Sequence, residues 1–178
     1  MRAVRFIRRL LAARRGVAMI EFAMSLPFLT VLYVGGFQVC DAVSAWRKVT
    51  RATRTVADLT SQYTSVDEQD VIDILNSSQQ VMSPYKASAA IITVTQVKMN
   101  DLAYPTVDWS RGKNAQGLAS GTYFNLPLAI RQANTSMIVA QISYTYTPLF
   151  GSKFFGTIPL RETIIMSPRA STSVTMQQ

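Results

Sequence analysis

The sequence predicts an α+β protein in which a long amino-terminal, membrane-spanning helix continues into a domain with a second helix and an antiparallel β-sheet. Three observations carry this. From Val17 to Cys40, 24 residues are apolar or small except Glu21, Ser25, Thr30 and Gln38; as a helix rising about 1.5 Å per residue they would cross a bilayer core of roughly 30 Å. Beyond them Val39, Val43, Trp46, Val49, Thr53, Val56, Leu59 and Tyr63 recur in steps of three and four, which makes one stripe along a helix. From Ala89 onward the residues become β-branched and alternating, the texture of strands.

In order, the chain opens with an arginine-rich leader, residues 1–16, followed by the apolar helix 17–40 and its amphipathic extension 41–63. Unbroken from Val17 to about Tyr63, this helix would reach roughly 70 Å. Inside it Pro27 removes a backbone donor and Gly35-Gly36 lowers helix propensity, so a helix break or soft turn is expected there. Residues 64–169 form the α+β domain. Ser65 followed by Glu68 reads as a capping box, starting a helix that carries Val71, Ile72, Ile74 and Leu75 inward and ends near Gln80. Asp67, Glu68, Asp70 and Asp73 suit the positive end of that helix and lack the spacing of a calcium loop.

Strands are expected over Ile91–Met99, Ser136–Tyr146 and Thr157–Met166, with a short one around Trp109 from Thr106 to Ser110. In the middle strand Ile138, Ala140, Ile142, Tyr144 and Tyr146 share the more apolar face, which a helix would bury. Arg111–Ser120, with Gly112, Asn114 and Gly117, reads as an exposed loop. Pro148 and Pro168 stop the last two strands. Residues 170–178 are small and polar and are expected to be a disordered tail.

The net charge of +8 would ordinarily raise nucleic acid as a partner. Its distribution removes that reading: six of the 18 basic residues, Arg2, Arg5, Arg8, Arg9, Arg14 and Arg15, precede Gly16, and all 10 acids follow it. The remaining 12 basic residues against 10 acids leave +2. The leader instead fits the positive-inside rule, which keeps the amino terminus cytoplasmic and sends the carboxyl-terminal part outward. Arg47, Lys48, Arg51 and Arg54 oppose it at six against four. With no histidine and only Cys40, most metal sites, Cys/His nucleophile pairs and internal disulfides drop out. No catalytic residue, metal or cofactor is expected. Cys40 reads as a small buried hydrophobe, with an intermolecular bridge as the alternative.

Glu21 stands out, because a carboxylate in hydrocarbon costs about 2.5–3.5 kcal/mol even on lenient scales, and no Lys, Arg or His lies between Val17 and Cys40. Gly16, four residues, then Glu21-Phe22, behind a basic block and at the head of an apolar helix, resembles the processing site of type IV pilin-like precursors. Specifically, it is similar to the TadE-like pseudopilins of tight-adherence (Flp) pili. The carboxyl-terminal run Tyr144-x-Tyr146-x-Pro148-Leu149-Phe150, with a returning strand before Pro168-Arg169, also resembles TadE-like proteins.

The resemblance implies a pilin-like fold and a non-enzymatic role in pilus biogenesis. It implies cleavage after Gly16 by a prepilin peptidase, leaving Val17 as the new terminus, with Glu21 and Phe22 in peptidase recognition and subunit pairing. Pro27, Gly35 and Gly36 would let the helix bend as it leaves the bilayer. The implied place is the bacterial inner membrane, single-pass, with a periplasmic domain; the implied partners are the membrane, other pilin-like subunits and the inner-membrane assembly platform. The body exceeds a major Flp pilin, which implies a minor or priming subunit. The alternative is an exported soluble periplasmic binding domain whose signal peptide is cut after Val43-Ser44-Ala45. A signal peptide's apolar core is usually about 7–15 residues, shorter than this run. A tethered hydrolase would have to rely on carboxylates such as Asp101 and Asp108.

Overall fold

A computed structural model of the protein describes residues 15–150, 152 and 156–177. The leader through residue 14 and residues 151, 153–155 and 178 lie outside them. The chain divides after Asp41 into two compact units. Helix α1, Arg15–Ser61, supplies the apolar segment of the first and the opening helix of the second. The expected break does not interrupt it: helical structure continues through Pro27 and Gly35-Gly36. One proline costs one backbone bond and a steric contact, which neighbouring turns can absorb.

In the second unit, β1 (Ser65–Val66) leads into α2 (Glu68–Val81). The capping box is real but sits two residues later than the sequence suggested. Asp67 is the N-cap: its carboxylate accepts the Asp70 amide at 2.7 Å, and Asp70 in return accepts the Asp67 amide at 3.1 Å. Ser65 is occupied elsewhere, in a parallel pairing with the end of the chain. Val71, Ile74 and Leu75 are buried as expected, and Ile72 is exposed.

Strands β2 (Ile91–Met99), β3 (Pro105–Lys113), β4 (Ser136–Tyr146) and β5 (Ile158–Met166) form an antiparallel sheet in the order β3-β2-β4-β5. Ile138, Ala140, Ile142, Tyr144 and Tyr146 are all buried on one face, joined there by Ile92 and Val94 of β2. The core forms where this face meets the second half of α1 and the inner side of α2. On the opposite face Val97, Met99, Val139 and Leu126 make a smaller core beneath the segment containing Phe124 and Ile130. β3 is longer than expected. Gly112 belongs to it because a Cβ there would stand 2.7 Å from the Ala115 carbonyl oxygen and 3.1 Å from Thr93 Cγ2. This glycine marks a close backbone approach inside a strand, where the sequence suggested a loop.

The buried stripe of α1 also differs from the expected one. Val49, Thr53 and Val56 are buried, but Ala45, Ala52, Ala57, Thr60 and Ser61 complete the face, while Val39, Val43, Trp46 and Tyr63 are exposed. Small side chains let a helix and sheet come close; a hydrophobicity pattern weights large residues and so rotates the stripe the wrong way.

The tail is not disordered. Thr175–Met176 forms β6, parallel to β1, and Val174 is fully buried. Trp109 Nε1 donates to the Val174 carbonyl at 2.7 Å, and the Val174 amide donates to Gln96 Oε1 at 3.0 Å. Two buried polar side chains of the sheet thus use the tail backbone as their partner, which holds it in place.

Two outcomes follow for the full chain in detergent, both read by denaturant unfolding of the domain. Ala52→Leu overpacks the helix–sheet contact and should cost about 1–3 kcal/mol, whereas Trp46→Ala should cost about 1 kcal/mol or less; the reverse ranking would restore the large-residue stripe. Deleting residues 174–178 removes a buried valine and the partners of Trp109 and Gln96, and should cost about 3 kcal/mol or more. Unchanged stability would show that the tail is not part of the core.

Candidate processing and anchoring site

The bond between Gly16 and Val17 lies in the first turn of α1. The leading amides of a helix have no intrahelical acceptor, so this turn is the part of α1 least committed to its hydrogen bonds. A Cβ at Gly16 would meet no atom within 4 Å; nothing in the fold itself requires glycine there. Glu21 follows Val17 by four residues, one helical turn on the same face.

From Val17 to Leu32 every side chain is exposed. Met19 is 75%, Phe28 78% and Tyr33 78% accessible. This density of uncovered large hydrophobics is far beyond the scattered apolar residues of a soluble surface. The helix is long and apolar enough to cross a membrane, and none of its most apolar 18-residue window is buried within the chain. Its two aliphatic hydroxyls are internally satisfied: Ser25 Oγ donates to the Phe22 carbonyl at 3.0 Å and Thr30 Oγ1 to the Leu26 carbonyl at 2.9 Å. Such back-bonding hides polar groups from hydrocarbon. Glu21 has no such device. Among the described residues no hydrogen bond or ion pair reaches its carboxylate, and Phe22 beside it is 61% accessible.

Residues 16–58 match the model of the TadE-like protein family. No curated protein and no solved structure matches the chain. The TadE-like segment takes in Gly16, Val17, Glu21 and Phe22, the whole apolar run, and α1 nearly to its end. The family is connected with Tad pilus systems and is structural in character. The similarity noted at the carboxyl-terminal end lies outside the matched span.

Open clefts lie among the described residues of the second unit. One, of about 690 Å³, is lined by Trp109, Asp108 and the pair formed by Arg111 Nε and Glu68 Oε2 at 2.7 Å. The other, of about 650 Å³, lies among Arg54, Glu162 and the pair of Arg169 Nη1 with Asp58 Oδ1 at 2.8 Å. Asp101 does not line the cleft that holds Asp108; it sits in the turn after β2, where its carboxylate accepts the Leu102 amide at 3.1 Å. Among the described residues no group of three His, Cys, Asp or Glu side chains is placed to hold a metal ion. Cys40 is exposed, contrary to the buried role expected for it. Nothing in the sequence signalled the Asp58–Arg169 pair or the hydrogen bond from Thr50 to Glu162, since each joins α1 to residues more than a hundred positions away.

Proposed function

We propose that the protein is a prepilin-peptidase-processed, single-pass pseudopilin that takes part in assembling a tight-adherence (Flp) type IV pilus, as a minor or priming subunit. The observation that carries this is Glu21, a carboxylate with no partner among the described residues, at the head of an uncovered apolar helix, inside the TadE-like segment. In this reading residues 1–16 are removed at the cytoplasmic face, the apolar part of α1 stays in the inner membrane, and the domain from about Asp41 faces the periplasm. The partners are the peptidase, other pilin-like subunits and the assembly platform. Cleavage creates an amine on Val17, and a neighbouring subunit's amine can meet the Glu21 carboxylate in low dielectric, where a pair fixes register and an unpaired charge is costly.

The signal-peptide alternative meets a packing objection. Ala45 is 1% accessible within the core of the second unit, so a cut before Trp46 would remove a residue that the sheet packs against.

Intact mass of the protein from its native membrane should show residues 1–16 missing, and Gly16 replaced by a bulky residue should block the cut; a mature terminus at Trp46 would overturn the reading. Glu21→Gln should leave insertion, cleavage and protein level near normal while abolishing co-purification with pilin-like subunits and piliation. If the variant piliates like the parent, Glu21 does not pair subunits.

A further inference from the structure

The four-stranded sheet has two edge strands, β3 and β5, and the fold treats them differently. Along β3 the chain returns and closes the edge: the Val107 amide donates to the Thr122 carbonyl at 2.8 Å, the Gly121 amide to the Val107 carbonyl at 2.7 Å and the Phe124 amide to the Pro105 carbonyl at 3.1 Å. β5 pairs with β4 over all nine of its residues without a bulge, and among the described residues no hydrogen bond reaches its outer backbone. On such an edge every second residue turns its amide and carbonyl away from the sheet, and proteins blunt the edge with charge, proline or a bulge. Pro159 and Arg161 do this for the first half of β5. Thr163, Ile164, Ile165 and Met166 carry none of these devices.

The cleft of about 650 Å³ runs along this unguarded half. Its lining includes Ile164 and Met166, which pack on the helix side of the sheet, and Ile165, which packs on the opposite side. A cleft that touches both faces of a strand lies at its outer edge. The other wall is the α1 stripe of Thr50, Arg54 and Asp58, together with Arg169. Three of the four charged groups there are engaged, Asp58 with Arg169 at 2.8 Å and Glu162 as acceptor from Thr50 Oγ1 at 3.2 Å. Arg54 is exposed, and among the described residues its guanidinium has no partner. We infer that the outer edge of β5, from Glu162 to Met166, takes up an extended segment of another protein as a fifth strand, with a carboxylate of that segment on Arg54. In strand addition of this kind the backbone bonds supply the attachment and the side-chain contacts select the partner. A second copy fits less well, because the nine-residue edge it has to offer is β5 itself, whose one carboxylate already accepts from Thr50 and whose Arg161 brings another cation. All these residues lie in the second unit, so the inference is independent of the reading of Glu21.

The test uses the full chain in detergent micelles and, as probe, a capped peptide the length of β5, nine residues, of alternating threonine and valine with a central glutamate. Amide exchange is read residue by residue. In the free protein the β5 amides that point away from β4 should exchange fast and their neighbours slowly, in alternation along the strand. Adding the peptide should slow the fast set by about tenfold, the worth of one backbone hydrogen bond each, and leave the slow set unchanged. Lysine in place of the peptide's glutamate should weaken binding by up to about fivefold, and R54Q should remove that difference. A peptide with alternate amides methylated should not bind, and T163K, which puts a guarding charge on an exposed position of the edge, should abolish binding with the exchange of β4 unchanged. If T163K unfolds the domain, the methylated peptide decides alone. Slow exchange of all β5 amides in the free protein would show that its own chain already covers the edge and would overturn the proposal. So would equal binding of the glutamate and lysine peptides, or of the methylated one. Protection that rises with protein concentration in the absence of peptide would make a second copy the occupant and overturn it too.

Discussion

How closely α1 can approach the sheet is set by the volume of the side chains between them, and Ala45, Ala52 and Ala57 keep that volume small. Fully buried alanines contribute little transfer free energy each, roughly in proportion to their area. What they allow is contact between the helix and Ile138, Ala140 and Ile142, so that the larger residues of the sheet and of α2 can close the core around them. Thr53 fits the same face because its hydroxyl returns to the Val49 carbonyl at 2.9 Å. The order of strands follows from this, since β2 and β4, the two central strands, carry the most deeply buried residues.

The same helix faces two kinds of surroundings, and its side chains change character near Asp41 to suit each. Before that point large apolar residues project on all sides, and the Ser25 and Thr30 hydroxyls are folded back onto the backbone. After it, one face is small and buried, and another carries arginine. Among the described residues nothing pairs with the Glu21 carboxylate, which is why it is read as a contact with something outside the fold.

Much of this was legible in the sequence for identifiable reasons. β4 alternates cleanly because one of its faces is buried, so its ends and its inward residues could be read directly; α1 could be read because 24 consecutive residues avoid charge except at Glu21. The misses share one cause, contacts between distant segments. Gly112 looks like a loop residue until Ala115 and Thr93 are placed against it. Ser65 looks like a cap until its partner strand arrives from the other end of the chain. Val174 is one valine in a polar tail, and only Trp109 and Gln96 make it a core residue. For the proposed processing site, Gly16, Val17, Glu21 and Phe22 stood out from local pattern alone, because a lone acid in an apolar run, five residues after a glycine, needs no tertiary contact to be conspicuous.

The pairing of β6 with β1 sets an order of events for the domain. Gln177 Nε2 donates to Ser65 Oγ across 112 positions of sequence, and Arg169 donates its amide to the Ser61 carbonyl at the end of α1. Contacts of such separation form late, after the cost of closing the intervening chain has been met. The domain therefore cannot close until its last residues are available to pair. Until then Trp109 and Gln96 lack the Val174 backbone as their partner, and the core stays open on one side.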